Sequence, residues 1–141
     1  MALFAGGCAC GAVRYQAASD PVATRMCVCR ICQRLTGGAG SVLAFFATDS
    51  FAVEGQTGDF ASVADSGNII HRRFCPECGT PLFSSAEVRP HLIGVRVGSL
   101  DDPSSVTPTA IVWTDEAPAW AHLNDALDHY PGQMPAAAPA K

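Results

Sequence analysis

FCPECGTPLF, residues 74–83, is the stretch on which the fold turns. The C-x-x-C spacing of Cys75 and Cys78, closed by Gly79, folds two thiols back toward one point. A second pair, Cys8-x-Cys10, lies in GGCACGAVRYQA, residues 6–17, between glycines that let the backbone curl. Each pair is half of a tetrahedral four-cysteine site. Joined, they clasp the first strand to a hairpin far along the chain, close to a zinc ribbon in logic. A structural zinc contributes about 10–16 kcal/mol of apparent folding free energy. The competing reading is four buried or disulfide-linked thiols.

Outward from the knuckle, the chain reads as short apolar runs divided by Gly, Pro, Asp and Ser. Ala12 to Gln16 is expected as a strand with Val13 and Tyr15 on one face. SVLAFFA (41–47) and FAVEG (51–55) follow, and Phe60 to Ala64 is expected to pair with Asn68 to Phe74 across Asp65-Ser66-Gly67. HLIGVRV (91–97) and Thr109 to Trp113 are the last strands. CRICQRLTGG (29–38) is the one short helix, ended at Gly37-Gly38. AWAHLNDALDHY (119–130) suits one or two loose helical turns. The pattern predicts an antiparallel all-β protein with a single zinc-binding domain over 1–130 and a disordered tail over 131–141.

Composition narrows the function. A 141-residue chain with 48% hydrophobic and 16% charged residues is globular and of single-domain length. A formal net charge of −4 argues against nucleic acid as a partner. No run approaches the ~20 apolar residues of a membrane span, so no membrane partner is expected. MALFAGG lacks a charged leader segment, which predicts a cytoplasmic location. In a reducing cytosol seven cysteines read as metal ligands before disulfides. The odd number fits a set of four plus a set of three.

The set of three is Cys27, Cys29 and Cys32, in RMCVCRICQRLTGG, residues 25–38. A C-x-C pair converges on one ion only where the backbone turns. Three protein thiolates leave the fourth position of a zinc ion open, as catalytic zinc requires. The alternatives are a redox-active dithiol or a structural zinc completed by a histidine. His71, His91, His122 and His129 all lack ligand spacing to the trio. Arg25, Arg30, Arg34, Arg72 and Arg73 flank the cysteines and can offset thiolate charge or hold a substrate carboxylate.

GGCACGAVRY, CVCRICQRLTGG, RRFCPECGTPLF and GSLDD together resemble the glutathione-dependent formaldehyde-activating enzyme family, which includes the centromere protein V type. The order and spacing of all seven cysteines carry the resemblance, from about Gly6 to Trp120. It implies a β-tent of coiled antiparallel sheets and two zinc ions per chain. It implies that Cys8, Cys10, Cys75 and Cys78 hold a structural ion, and Cys27, Cys29 and Cys32 a catalytic one. The activity it implies is carbon–sulfur lyase chemistry on a small-molecule thiol, interconverting formaldehyde plus glutathione with S-hydroxymethylglutathione. Val28 and Ala110 stand where family members often carry histidine. A non-enzymatic protein-binding module and a thiol redox sensor are the rival functions. Neither oligomeric state nor a general base is legible.

Overall fold

The computed structural model describes residues 3–134. It is mostly β, in two open sheets. β1 (Phe4–Gly7), β2 (Arg14–Ala17) and β5 (Phe51–Glu54) form the smaller, in the order β1-β2-β5. The larger contains β3 (Ala23–Cys27), β4 (Ser41–Ala47), β6 (Gly58–Val63), β7 (Ile69–Phe74), β8 (Pro81–Ala86), β9 (Leu92–Arg96), β10 (Ala110–Val112) and β11 (Asp128–His129). Its order is β11-β10-β3-β4-β9-β8-β7-β6. The pairings are antiparallel except at one edge, where β10 runs parallel to both β3 and β11.

The two sheets close on one core. β2 contributes Val13, just ahead of it, with Tyr15 and Ala17, each a period-2 step apart. Against them the large sheet sets Ala44 and Phe46 of β4, Phe83 of β8, and Ile93 and Val95 of β9. Tyr15 stacks on Phe51 at 5.4 Å and meets Phe83 edge-on at 5.2 Å, both favourable aromatic geometries. The Tyr15 hydroxyl lies 2.6 Å from Ser99 Oγ, and burial pushes the phenol up to about 12. This core lies on one face of the large sheet only. Cross-strand partners share a face, so the registers Arg25↔Leu43↔Arg96 and Cys27↔Ser41 define the opposite one. That outer face carries α1 (Arg30–Thr36), capped at its end by left-handed Gly37.

The helix over 29–38 and the hairpin across 65–67 form as the sequence predicts. Three expectations are corrected. β1, β3, β8 and β11 are strands the sequence pattern does not show: FAGG is extended by pairing with β2, Ala23–Cys27 lies between β4 and β10, Pro81–Ala86 between β7 and β9, and Asp128–His129 beside β10. The strand expected over 12–16 is shifted to Arg14–Ala17, since Val13 closes the cysteine turn by donating its N–H to Cys8 Sγ at 3.2 Å. Residues 119–130 form no helix. Asn124 Oδ1 accepts from Ala126 N (2.9 Å) and its carbonyl accepts from Leu127 N (3.2 Å), so an Asn-centred turn takes the bonds a helix would use. The chain then pairs as β11, and Trp120 is left 74% exposed. Of the tail expected over 131–141, the carbonyls of Pro131 and Gly132 accept from Asp115 N and Trp113 N. Residues 135–141 lie outside the described residues.

On the outer three strands His71 bridges two carboxylates, Nδ1 to Asp59 at 2.6 Å and Nε2 to Glu87 at 2.7 Å. His71, Glu87 and Arg73 line a cavity of about 330 Å³. Bonds to Glu87 and then Asp59 raise the His71 pKa above its usual value. A raised folded-state pKa adds stability that is complete below the unfolded value of about 6.5 and is lost as pH climbs through the folded value. His71→Asn is therefore expected to lower the melting temperature most near about pH 5.5, with the gap closing in alkali. A gap that stays constant across that range would show that charge on His71 contributes nothing.

Candidate metal centres

The first centre is built by two loops that end alike. In one, the chain turns through Cys8–Gly11, with Gly11 at φ 84° and its N–H donating to Cys8 O at 3.2 Å. In the other it turns through Cys75–Gly79, with Gly79 at φ 80° and its N–H donating to Cys75 O at 2.8 Å. Left-handed φ values of this kind favour glycine. Thr80 ties the loops together, its Oγ1 accepting from Ala9 N at 3.1 Å and lying 3.1 Å from Cys78 Sγ. The four Sγ atoms of Cys8, Cys10, Cys75 and Cys78 lie within 4.8 Å of one another. Cys8 to Cys10 is 3.6 Å and Cys10 to Cys75 is 3.8 Å. A tetrahedron with metal–sulfur bonds of about 2.3 Å has edges of about 3.8 Å. A disulfide requires about 2.05 Å, and all seven cysteines are free. Cys8 and Cys75 are buried in the core cluster, while Cys10 and Cys78 are exposed.

The second centre stands on the outer face. β3 ends at Cys27, held by Ser41 of β4 on one side and Val112 of β10 on the other. Val28 turns inward, fully buried, its N–H donating to Val112 O at 3.2 Å. Cys29 is the N-cap of α1, and its sulfur accepts from Cys32 N at 3.4 Å. The three Sγ atoms converge within 4.8 Å. Among the described residues, neither group includes a histidine. Val28 and Ala110, the two departures from the family pattern, are both buried.

The donor sets suit a cation. Hydrogen bonds from Cys27 and then Cys32 draw the Cys29 thiol well below its usual range, while the bonds Cys27 gives to Cys29 and Cys32 push Cys27 far above it. In the quartet, bonds from Thr80 lower Cys78 to about 5. The Ala12 N–H pulls Cys10 down, but Cys8 and Cys78 outweigh it and carry it up to about 12. Crowded sulfurs thus divide their charge unevenly, and only a cation lets all of them ionise together. Each group could hold a metal ion.

The arginines separate by face. Arg25 and Arg72 share the trio's face through Arg25↔Leu43 and the register Arg72↔Ser84↔Gly94, while Arg73 stands on the other. Arg30 and Arg34 are exposed on α1. Three contributors escaped the sequence. Gln33 donates to the carbonyls of Val28 and Glu116, both at 2.9 Å, and fastens the helix to the loop after β10. Glu116 Oε1 accepts from Arg30 N at 2.8 Å, bringing a carboxylate beside the trio. Arg96 is buried on the trio's face, where its Nη1 donates to Ser41 Oγ beside Cys27. Its one signal in sequence was a charged residue inside the apolar run LIGVRV.

A family model described as glutathione-dependent formaldehyde-activating enzyme matches residues 3–116. A Halomonas elongata protein named "Putative glutathione-dependent formaldehyde-activating enzyme" is 25% identical over 127 residues, covering 86% of this chain and 81% of that protein. A crystal structure of a Rhodobacter sphaeroides protein shares the fold, with a TM-score of 0.56 at 22% identity over 74% of this chain and 91% of that one.

The two centres predict opposite failures. The quartet bridges both sheets, and a metal clasp worth about 10–16 kcal/mol rivals the ~5–15 kcal/mol net stability of a whole domain. Cys78→Ser is expected to be insoluble or to melt far below the wild type. The trio closes a short local stretch, so Cys29→Ser is expected to stay folded. Equal unfolding of the two variants in thermal melts would make the trio structural.

Proposed function

Because the chain belongs to the glutathione-dependent formaldehyde-activating enzyme family, we propose that it is a zinc-dependent carbon–sulfur lyase. Its substrates in this reading are a small thiol and an aldehyde, such as glutathione and formaldehyde, in equilibrium with their S-hydroxymethyl adduct. The observation that carries the proposal is the convergence of three thiols, without a fourth protein ligand among the described residues, on a half-exposed sheet face.

Cys8, Cys10, Cys75 and Cys78 would hold a structural zinc, and Cys27, Cys29 and Cys32 a catalytic one. When bound at the trio, zinc supplies Lewis acidity toward a thiol sulfur or a carbonyl oxygen through its open position. The reaction is redox-neutral. The thiol's sulfur forms the new bond to the aldehyde carbon, the carbonyl π pair moves to oxygen, and the thiol proton ends on that oxygen. Lysis reverses each movement.

The chain's own groups bind and orient. Arg25 and Arg72 stand half-buried on the trio's face and suit the carboxylates of a tripeptide thiol. The Arg25 guanidinium lies 5.3 Å over the Phe45 ring, which fixes its position, and Arg72 is anchored by donating to Ser62 Oγ at 2.6 Å. Gln33 and Glu116 hold α1, and hence Cys29 and Cys32, at a set height above the sheet. Free thiols at ligand spacing suit a reducing cytoplasm. No helix is long and apolar enough to cross a membrane.

Protein purified under reducing conditions is expected to contain two zinc ions per chain and to catalyse glutathione-dependent consumption of formaldehyde. One zinc with a reversibly oxidised trio would favour the redox sensor. Two zincs without turnover of any thiol would favour the binding module. The double change Arg25→Ala with Arg72→Ala is expected to raise KM for glutathione at least about tenfold, since hydrogen bonds to charged groups are worth ~1.5–3 kcal/mol. The rise should be smaller for a neutral thiol such as 2-mercaptoethanol. Equal changes for both thiols would remove these arginines from carboxylate binding.

A further inference from the structure

Among the described residues, Arg96 carries the least explained charge. It ends β9 on the trio's face, only 6% exposed. Burying a guanidinium is costly unless an opposite charge accompanies it. The ion pairs described among residues 3–134 are Arg14–Asp101 and those of His71 with Asp59 and Glu87, and none reaches Arg96. Cross-strand register sets Arg96 opposite Leu43, one same-face step from Ser41, which is itself opposite Cys27. Its Nη1 donates to Ser41 Oγ at 2.5 Å, and Ser41 is the residue paired with Cys27. Its Nε is buried with no hydrogen-bond partner.

We propose that Arg96 is the counter-charge of the trio, a positioning residue that makes a metal-loaded three-thiolate centre electrically neutral. The proposal rests on the reading of the trio as a metal centre. Three thiolates around a divalent ion carry one net negative charge, and the buried guanidinium of Arg96 cancels it. The same fork holds Ser41, the cross-strand partner of Cys27, and so braces the strand end that carries one of the three sulfurs. A neutral centre also accepts the sulfur of an anionic thiol into its open position with less repulsion than a negative one. Substrate and ion would then share one charge-balancing group, placed on a strand that contributes no ligand.

The test compares wild type, Arg96→Met and Arg96→Lys, each loaded with zinc under reducing conditions and challenged with graded chelator. Zinc content and melting temperature are read together. Wild type is expected to hold two equivalents. Arg96→Met is expected to keep the quartet's equivalent and to release the other at a chelator concentration at least about tenfold lower, the scale of a close, poorly screened charge pair. Arg96→Lys, which retains the cation, should lie near wild type. If Arg96→Met holds its second zinc as firmly as wild type, or Arg96→Lys loses it as readily as Arg96→Met, the proposal is overturned. If Arg96→Met does not fold, Arg96→Lys decides alone: folded with two equivalents it supports a role for charge, and otherwise it refutes one. Wild type with a single equivalent would instead overturn the metal reading of the trio itself.

Discussion

The constraint on which the rest of the structure depends is the meeting of four sulfurs from two turns far apart in the chain. Cys8 and Cys10 belong to the turn between β1 and β2, and Cys75 and Cys78 to the turn between β7 and β8. The small sheet has only three strands, each four residues long, a size with little stability of its own. Burial of Tyr15 and Phe51 against Phe83 and Phe46 drives the sheets together, but the hydrophobic effect is non-directional. Sulfurs 3.6 and 3.8 Å apart set a distance that apolar packing does not.

With the quartet on the core side, the large sheet has a second face to use. The same strand serves both. β4 directs Ala44 and Phe46 to the core, and Ser41, Leu43 and Phe45 to the face where the trio stands. Successive side chains point to opposite faces, so one short strand supplies stability on one side and chemistry on the other. This is why a change at Cys29 and a change at Cys78 have different physical meanings although each alters one sulfur.

The trio's geometry is borrowed from distant chain. α1 has seven residues, too few to be stable as an isolated helix. It is held by Gln33, which bonds to Val28 and to Glu116, and by Glu116, which accepts from Arg30. Glu116 follows Trp113, the described non-glycine residue with positive φ, at 61°. Backbone strain of this kind persists where surrounding bonds over-determine it. Here Trp113 N–H donates to Gly132 O and Thr114 N–H to Tyr130 O, which tie the loop after β10 to the chain beyond β11.

What the sequence determined by itself was local. Cys75-x-x-Cys78 before Gly79, Cys8-x-Cys10 between glycines, and the trio ahead of a short helix are patterns complete within a few residues, because knuckles and caps are built from neighbouring backbone. The antiparallel hairpin across Asp65-Ser66-Gly67 was legible for the same reason. Register between strands distant in sequence was not. That register places Arg25 and Arg72 on the trio's face and Arg73 on the other, and buries Arg96 on the trio's face. It also draws FAGG into a strand and Asp128–His129 into a parallel pair. Tertiary structure decided these because a side chain's face follows from its own strand's pleat, whereas its neighbours follow from which strands lie beside it and in which register.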